Sequence, residues 1–284
     1  MTYLTYFLLP SDDMEVDFIW SIKQTCYDSH YPFKVLSVKG LRQIEFEPLT
    51  ILYGGNGSGK STALNVIAEK IKVKRDSIFN KSNFYPNYID MCEAHISESI
   101  PENSRIITSD DVFDYMLNIR SLNDRIDQKR EDIFKEYMDA KYSQLQFKSI
   151  EDYDKLKKIN KSRGKTRSQY VRDELIDNVI EYSNGESAFK YFTDRIEENG
   201  LYLLDEPENS LSPKRQMELM SFIENHVRFF RCQFIISTHS PFLLSMYGAK
   251  IYVLDENPVT IKKWTELENV RIYHEFFKLH DKEF

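Results

Sequence analysis

The stretch ILYGGNGSGKST, Ile51 to Thr62, holds four of the chain's nine glycines. Before it, Leu49 to Tyr53 form a short, nearly continuous apolar run, the pattern of a strand buried on both faces. After it, Leu64, Ile67 and Ile71 fall on one stripe of a helix. Gly54, Gly59, Lys60 and Ser61 meet the spacing G-x-x-x-x-G-K-[ST] in full. Such a loop lets successive backbone N–H groups turn inward onto one anion with no side chain in the way. Gly54, Gly55, Asn56, Gly57, Ser58 and Gly59 supply the cradle, and Lys60 the cation for the outer phosphates. Ser61 offers a hydroxyl to a Mg2+ shell, and Thr62 continues a helix start whose dipole adds positive potential. A glycine-rich linker has neither a buried strand before it nor a Lys-Ser-Thr helix start after it. The turn is therefore read as a nucleoside triphosphate site.

The chain has 284 residues, 41% of them hydrophobic, enough for one large domain or one domain with a sizeable insertion. A net charge of −7 argues against a generic basic nucleic-acid binder and leaves room for a local basic patch. Cys26, Cys92 and Cys232 show no metal-ligand spacing and read as reduced, mostly buried thiols of a cytoplasmic protein. No run approaches the roughly 20 apolar residues of a membrane span, so direct membrane insertion is not expected.

Three further stretches carry chemistry. Leu201 to Leu204 read as a buried strand ending in Asp205 and Glu206, at the sheet edge where open α/β folds bind ligands. Asp205 is placed to orient Mg2+ or its water, and Glu206 to act as general base on the attacking water. Ser212 and Pro213 then read as N-cap and first residue of a helix buried along Leu219, Met220, Ile223 and Val227. Gln233 to Ser237 read as a strand that delivers His239 to the same edge, where it senses the γ-phosphate. Finally Ser183, Asn184, Gly185, Glu186 and Ser187 read as a polar turn before a helix, a second anion cradle. That helix buries Ala188, Phe192 and Ile196 and ends at Asn199 and Gly200.

In this order the motifs resemble the ATP-binding cassette ATPases, over about residues 34 to 256. The resemblance implies an α/β P-loop NTPase of that type, with a mostly parallel sheet, an antiparallel edge and an inserted helical subdomain. It implies ATP and Mg2+ as ligands and a head-to-tail homodimer. In such a dimer Gly54 to Thr62 grip ATP while Ser183, Gly185 and Glu186 of a second copy close over it. Asn209 to Leu211 lie where the family's crossing loop runs. "DEPE" and "STHSPFLL" look like the non-transporter branch, which includes chromosome-maintenance, recombination and overcoming-lysogenization-defect ATPases, often filed as AAA proteins. There are departures. No glutamine occurs between Lys60 and Gln128, leaving Ser109, Asp110 or Asp111 for the family's Q-loop place. Position 212 is serine where many relatives have histidine, and the signature lacks its second glycine. These departures imply hydrolysis that is slow or depends on a partner.

The whole chain reads as a single cassette domain with a helical insertion at about 109–182. Val112, Met116, Ile119, Leu122, Ile126, Ile133 and Tyr137 keep mostly helical spacing, as in one or two amphipathic helices. Residues 155–172 carry eight basic residues and no acidic one. They suit nucleic-acid phosphates, an acidic partner, delivery of Arg163, Lys165 or Arg167 toward ATP, or simply a solvated loop. Near the start, "TYLTYFLLP" reads as an edge strand. Tyr27, Tyr31 and Phe33 are candidates both for adenine stacking and for the core. Residues 249–256 read as another strand, and 260–284 as a strand and helix. The expected role is an ATPase acting in DNA repair or anti-phage defence, or gating a nuclease or toxin. The alternatives are the energising subunit of a transporter and an ATP-dependent binding switch with little turnover.

Overall fold

The computed structural model describes residues 2–23, 26–27, 29–143, 153–175, 178–179 and 184–284. In chain order the elements are β1 Leu4–Leu8, α1 Asp12–Ser21, β2 Gln43–Glu45, β3 Leu49–Tyr53, α2 Lys60–Ile71, α3 Tyr85–Met91, β4 Glu93–Ile96 and β5 Arg105–Thr108. There follow α4 Ser109–Tyr142, α5 Tyr153–Gly164, α6 Arg167–Arg172, α7 Asn184–Arg195, β6 Leu201–Asp205, α8 Pro213–Phe229, β7 Gln233–Ser237, α9 Pro241–Leu244, β8 Lys250–Val253, β9 Thr260–Ile261 and α10 Glu268–Leu279. They divide into two compact units, residues 1–113 with 184–284, and residues 114–183.

The larger unit is built on a six-stranded sheet in the order β5-β6-β7-β3-β8-β9. Its first five strands are parallel, and β9 runs antiparallel along the β8 edge. Leu49–Tyr53 and Gln233–Ser237 are buried at every position, which is why both are mostly apolar rather than alternating, with Thr50, Gln233 and Ser237 as buried polar members. Helix α2 is buried nearly all round. One contiguous core joins Leu64 and Ile67 of α2 to Leu52, Leu203 and Ile235 of this sheet, and to Leu4, Phe7 and Ile44 of a second, antiparallel sheet.

That second sheet has the order β2-β1-β4, so β1 is its centre and not an edge. Its two partners are short and carry exposed polar residues, so neither announces itself as a strand. Buried Gln233 ties the sheets together. Its Oε1 accepts from the Tyr3 N–H at 2.8 Å and the Leu4 N–H at 3.0 Å, and its Nε2 donates to the Leu4 carbonyl at 2.8 Å. Gln233→Leu strands two buried donors and one acceptor, each costing about 1–3 kcal/mol. We expect a loss of roughly 3 kcal/mol or more, read as a lower urea midpoint at unchanged slope. An unchanged midpoint would show that the clamp carries nothing.

Ser212 caps α8, accepting from the Arg215 N–H, with Pro213 opening the helix; Leu219 and Ile223 are buried, while Met220 and Val227 are only partly so. Helix α7 already starts at Asn184, so Gly185 and Glu186 lie in its first turn rather than in a preceding loop, and it ends at Arg195. Cys92 and Cys232 are buried free thiols and Cys26 is exposed. No helix among the described residues is long and apolar enough to cross a membrane.

Most of α4, one helix of 34 residues that starts at Ser109, belongs to the smaller unit. Ile133 and Tyr137 pack on Tyr170 and Val171. The basic stretch forms α5 and α6 rather than a loop, and much of its charge is answered locally. Lys158 pairs with Glu136, Lys161 with Glu174 and Lys165 with Asp173, while Arg167 stacks 4.0 Å over Phe134.

Candidate nucleotide site

The ends of β3, β6 and β7 converge because β7 lies between the other two. Leu52, Ser237 and Asp205 are in register across the three strands. The loop after β3 turns into α2 through Gly59, whose φ is +95° and whose would-be Cβ lies 3.0 Å from Leu36 Cδ2. Two braces fix this loop from outside. Lys39 Nζ donates to the carbonyls of Ser58 and Leu254 at 2.8 Å each, and Asp255 Oδ2 accepts the Gly55 N–H at 2.8 Å. Neither brace was read from the sequence. Asp255 carried a usable signal, a carboxylate ending a strand on the Asp205 edge; Lys39 carried none.

Lys60 is 4% exposed. Its ammonium donates to the carbonyls of Gly54 at 2.8 Å and Gly55 at 3.1 Å and sits 3.4 Å from Glu206 Oε1. Ser61 Oγ donates to Asp205 Oδ1 at 3.1 Å, and Ser237 Oγ bonds the same oxygen. A cleft of about 280 Å³ opens over this loop, lined by Tyr31, Val35, Asn56 to Thr62 and Glu206. Gly54 and Gly55 lie beneath as acceptors for Lys60.

Burial pushes the Asp205 carboxyl above its ordinary range, against the hydrogen bonds from Ser237 and Ser61 that favour its ionised form. The carboxylate is therefore penalised in the folded, ligand-free protein. Asp205→Asn keeps an oxygen for both hydroxyls, so we expect it to melt at a higher temperature at pH 7. Because the folded pKa is the raised one, the penalty is full above it and shrinks as pH falls through it. The gain should therefore narrow as pH approaches the ordinary aspartate value of about 4. Equal melting temperatures at pH 7 would contradict this.

Glu206 has a φ of 48°, uncommon for a residue with a side chain. Its N–H donates to Ser237 O at 3.0 Å and to Ser237 Oγ at 3.2 Å, and its Oε2 accepts from Asn209 Nδ2 at 3.0 Å. Burial opposes ionisation, but the Asn209 bond, Lys60 and His239 together outweigh it and hold this carboxyl below its usual range. His239 Nδ1 lies 3.7 Å from Glu206 Oε1. So Lys60, Ser61, Asp205, Glu206 and His239, expected together from separate motifs, do meet at one sheet edge.

The second cradle is elsewhere. Ser183 lies outside the described residues. Gly185 packs on the Ser210 carbonyl, 3.3 Å from where its Cβ would sit, and Glu186 lies 3.4 Å from Arg215. Neither lines the cleft. Among the Q-loop candidates, buried Asp111 takes the Thr108 N–H at 2.6 Å and hydroxyl at 2.9 Å, a capping task at the start of α4. Of the aromatic candidates, Tyr31 borders the cleft, with its OH donating to Thr62 Oγ1 at 3.1 Å. Phe33 is core, and Tyr27 packs on Phe84.

Residues 93–245 match the family model described as "AAA domain, putative AbiEii toxin, Type IV TA system". The match takes in Asp205, Glu206 and His239 and begins after the glycine loop. Among solved structures, the chain is similar to an SMC head domain from Thermotoga maritima, at 12% identity over 92% of this chain and 99% of that one, TM-score 0.41. It is also similar to a nucleotide-free ATP-binding cassette from an ABC transporter, at 14% identity over 82% and 87%, TM-score 0.41. A third is the Smc head domain with an extended coiled coil, bound to the C-terminal domain of ScpA, from Pyrococcus furiosus, at 13% identity over 82% and 94%, TM-score 0.39. No curated protein matches the chain.

Proposed function

Because the chain belongs to the AAA-domain family whose model it matches over more than half its length, we propose that it binds and hydrolyses ATP at the cleft over Gly54 to Thr62. The observation that carries this is the convergence of a buried lysine, a serine–aspartate pair and a held glutamate on one strand edge. The triphosphate would draw Lys60 from the Gly54 and Gly55 carbonyls to its outer oxygens. That leaves Glu206 Oε1 free to take a proton from water, with Oε2 kept in place by Asn209. His239 would donate to the γ-phosphate.

Ser61 Oγ and Asp205 Oδ1 are hard oxygen donors 3.1 Å apart, which suits Mg2+ held by one or two protein oxygens together with phosphate and water. When bound, the cation would neutralise charge developing on the phosphates.

We further propose a single cassette domain with a helical insertion and a dimer around two ATP molecules, with Ser183, Gly185 and Glu186 meeting the second copy's nucleotide. The role we assign is gating of a nuclease or toxin partner, in DNA repair or anti-phage defence; the toxin named in the family description supports it. Nucleic-acid contact through 155–172 is the secondary route, because Lys158, Lys161 and Lys165 already pair with acids. The test is turnover: purified protein with ATP and Mg2+ should release phosphate over many cycles. Binding of ATP without release would leave the switch reading in its place.

A further inference from the structure

The proposed chemistry leaves one buried acid beside the site without a task. Glu208 is 7% exposed. Its Oε1 accepts from the Thr238 hydroxyl at 2.7 Å, the His239 N–H at 2.9 Å and the Ser240 N–H at 3.3 Å. Its Oε2 is buried with no hydrogen-bond partner among the described residues. A carboxylate taken out of water is costly unless its bonds repay it, and here they all fall on three consecutive residues.

Capping α9 does not account for this. Ser240 already caps that helix through its own hydroxyl, which accepts from the Leu243 N–H. What Glu208 adds is a grip on the backbone at His239 itself. The grip extends outward: the Ser240 hydroxyl donates to Gln216 Oε1 at 2.7 Å, and Gln216 Nε2 donates to the Leu211 carbonyl at 2.9 Å. The imidazole Nδ1 is 4.0 Å from Glu208 Oε1 and 3.7 Å from Glu206 Oε1, so the ring faces the edge between two acids. Two residues, Glu206 and Pro207, separate Asp205 from Glu208, and this turn carries the proposed base at one end and the grip on the histidine at the other.

We propose that Glu208 is a positioning residue that holds the His239 backbone so that the imidazole faces Glu206. It acts through His239 and does not touch the nucleotide. The proposal rests on the ATPase reading for its kinetic consequence, but not for its structural one.

The experiment compares the full-length wild type with Glu208→Ala, Glu208→Gln, His239→Ala and the Glu208→Ala/His239→Ala double variant. kcat and KM for ATP are measured separately, and amide hydrogen exchange at 239 and 240 is measured without nucleotide. Glu208→Ala should lower kcat by about ten-fold or more with KM within about three-fold, the split expected when binding is untouched. The double variant should be no slower than His239→Ala, because both changes remove one device. Glu208→Gln keeps an uncharged oxygen on the same three donors and should lose only about three-fold. Losses that multiply in the double variant, or a normal kcat in Glu208→Ala, would overturn the proposal. Should Glu208→Ala not fold, the Glu208→Gln/His239→Ala cycle carries the same test. Exchange at 239 and 240 should quicken by about ten-fold in Glu208→Ala, and unchanged protection there would also overturn it. If wild type shows no turnover, the ATPase reading fails, and the exchange comparison still decides whether Glu208 holds the turn.

Discussion

Replacing Glu206 by glutamine is expected to lower steady-state ATP turnover by about two to four orders of magnitude, the span general-base catalysis contributes. Glu206 sits at φ 48°, held by two bonds to Ser237, and glutamine makes no new demand on that conformation. Asn209 donates to one carboxylate oxygen, so a glutamine must turn its oxygen toward Asn209. Its amide nitrogen then faces Lys60 and His239, which removes the proposed base and the carboxylate partner of Lys60 together. ATP should bind at least as well, and the closed dimer should accumulate. Phosphate release measures the first effect, and an ATP-dependent doubling of mass by light scattering the second. Turnover within ten-fold of wild type would place the base elsewhere. The same variant, purified from its native host with ATP and Mg2+, should retain the partner. A nuclease, a toxin or nucleic acid would support the proposed role, whereas a polytopic membrane protein would move the protein to transport.

Gly59→Ala is the second large effect. At φ +95° a side chain costs about 1–2 kcal/mol from backbone strain alone. The added carbon would also lie 3.0 Å from Leu36 Cδ2 and 3.2 Å from Val35 Cγ1. Leu36 is fully buried and has nowhere to withdraw. Overpacking of this kind typically adds about 1–3 kcal/mol. If about 2 kcal/mol of the total appears as lost loop geometry, ATP affinity falls roughly thirty-fold. Gly57→Ala is the control: φ there is +79° but nothing lies within 4 Å, so only strain applies and the loss should be several-fold smaller. Titration calorimetry with ATP distinguishes the two, and equal losses would show that Leu36 and Val35 do not confine the loop.

The elements that carry the candidate site are legible from local sequence alone. Leu49–Tyr53, Leu201–Asp205 and Gln233–Ser237 are parallel strands buried along nearly all their length, and such strands are written as mostly apolar runs. The turns at their ends use glycine, proline and serine for local backbone reasons that need no knowledge of the rest of the chain. The likeness to ATP-binding cassettes was legible for the same reason, since its motifs are local.

What those strand ends do to one another depends on the order of strands in the sheet. Placing β7 between β3 and β6 puts the Ser237 hydroxyl on Asp205 and His239 beside Glu206. Strand order also made β1 a central strand, through partners too short and polar to read. The clamp from Gln233 to Tyr3 spans 230 positions, and the brace from Lys39 to Leu254 spans 215. Glu208, one letter in an acidic turn, became a buried acceptor for three donors some thirty residues on. Local sequence fixes backbone preference and burial, but a hydrogen bond between distant residues exists only once the sheet has set their register.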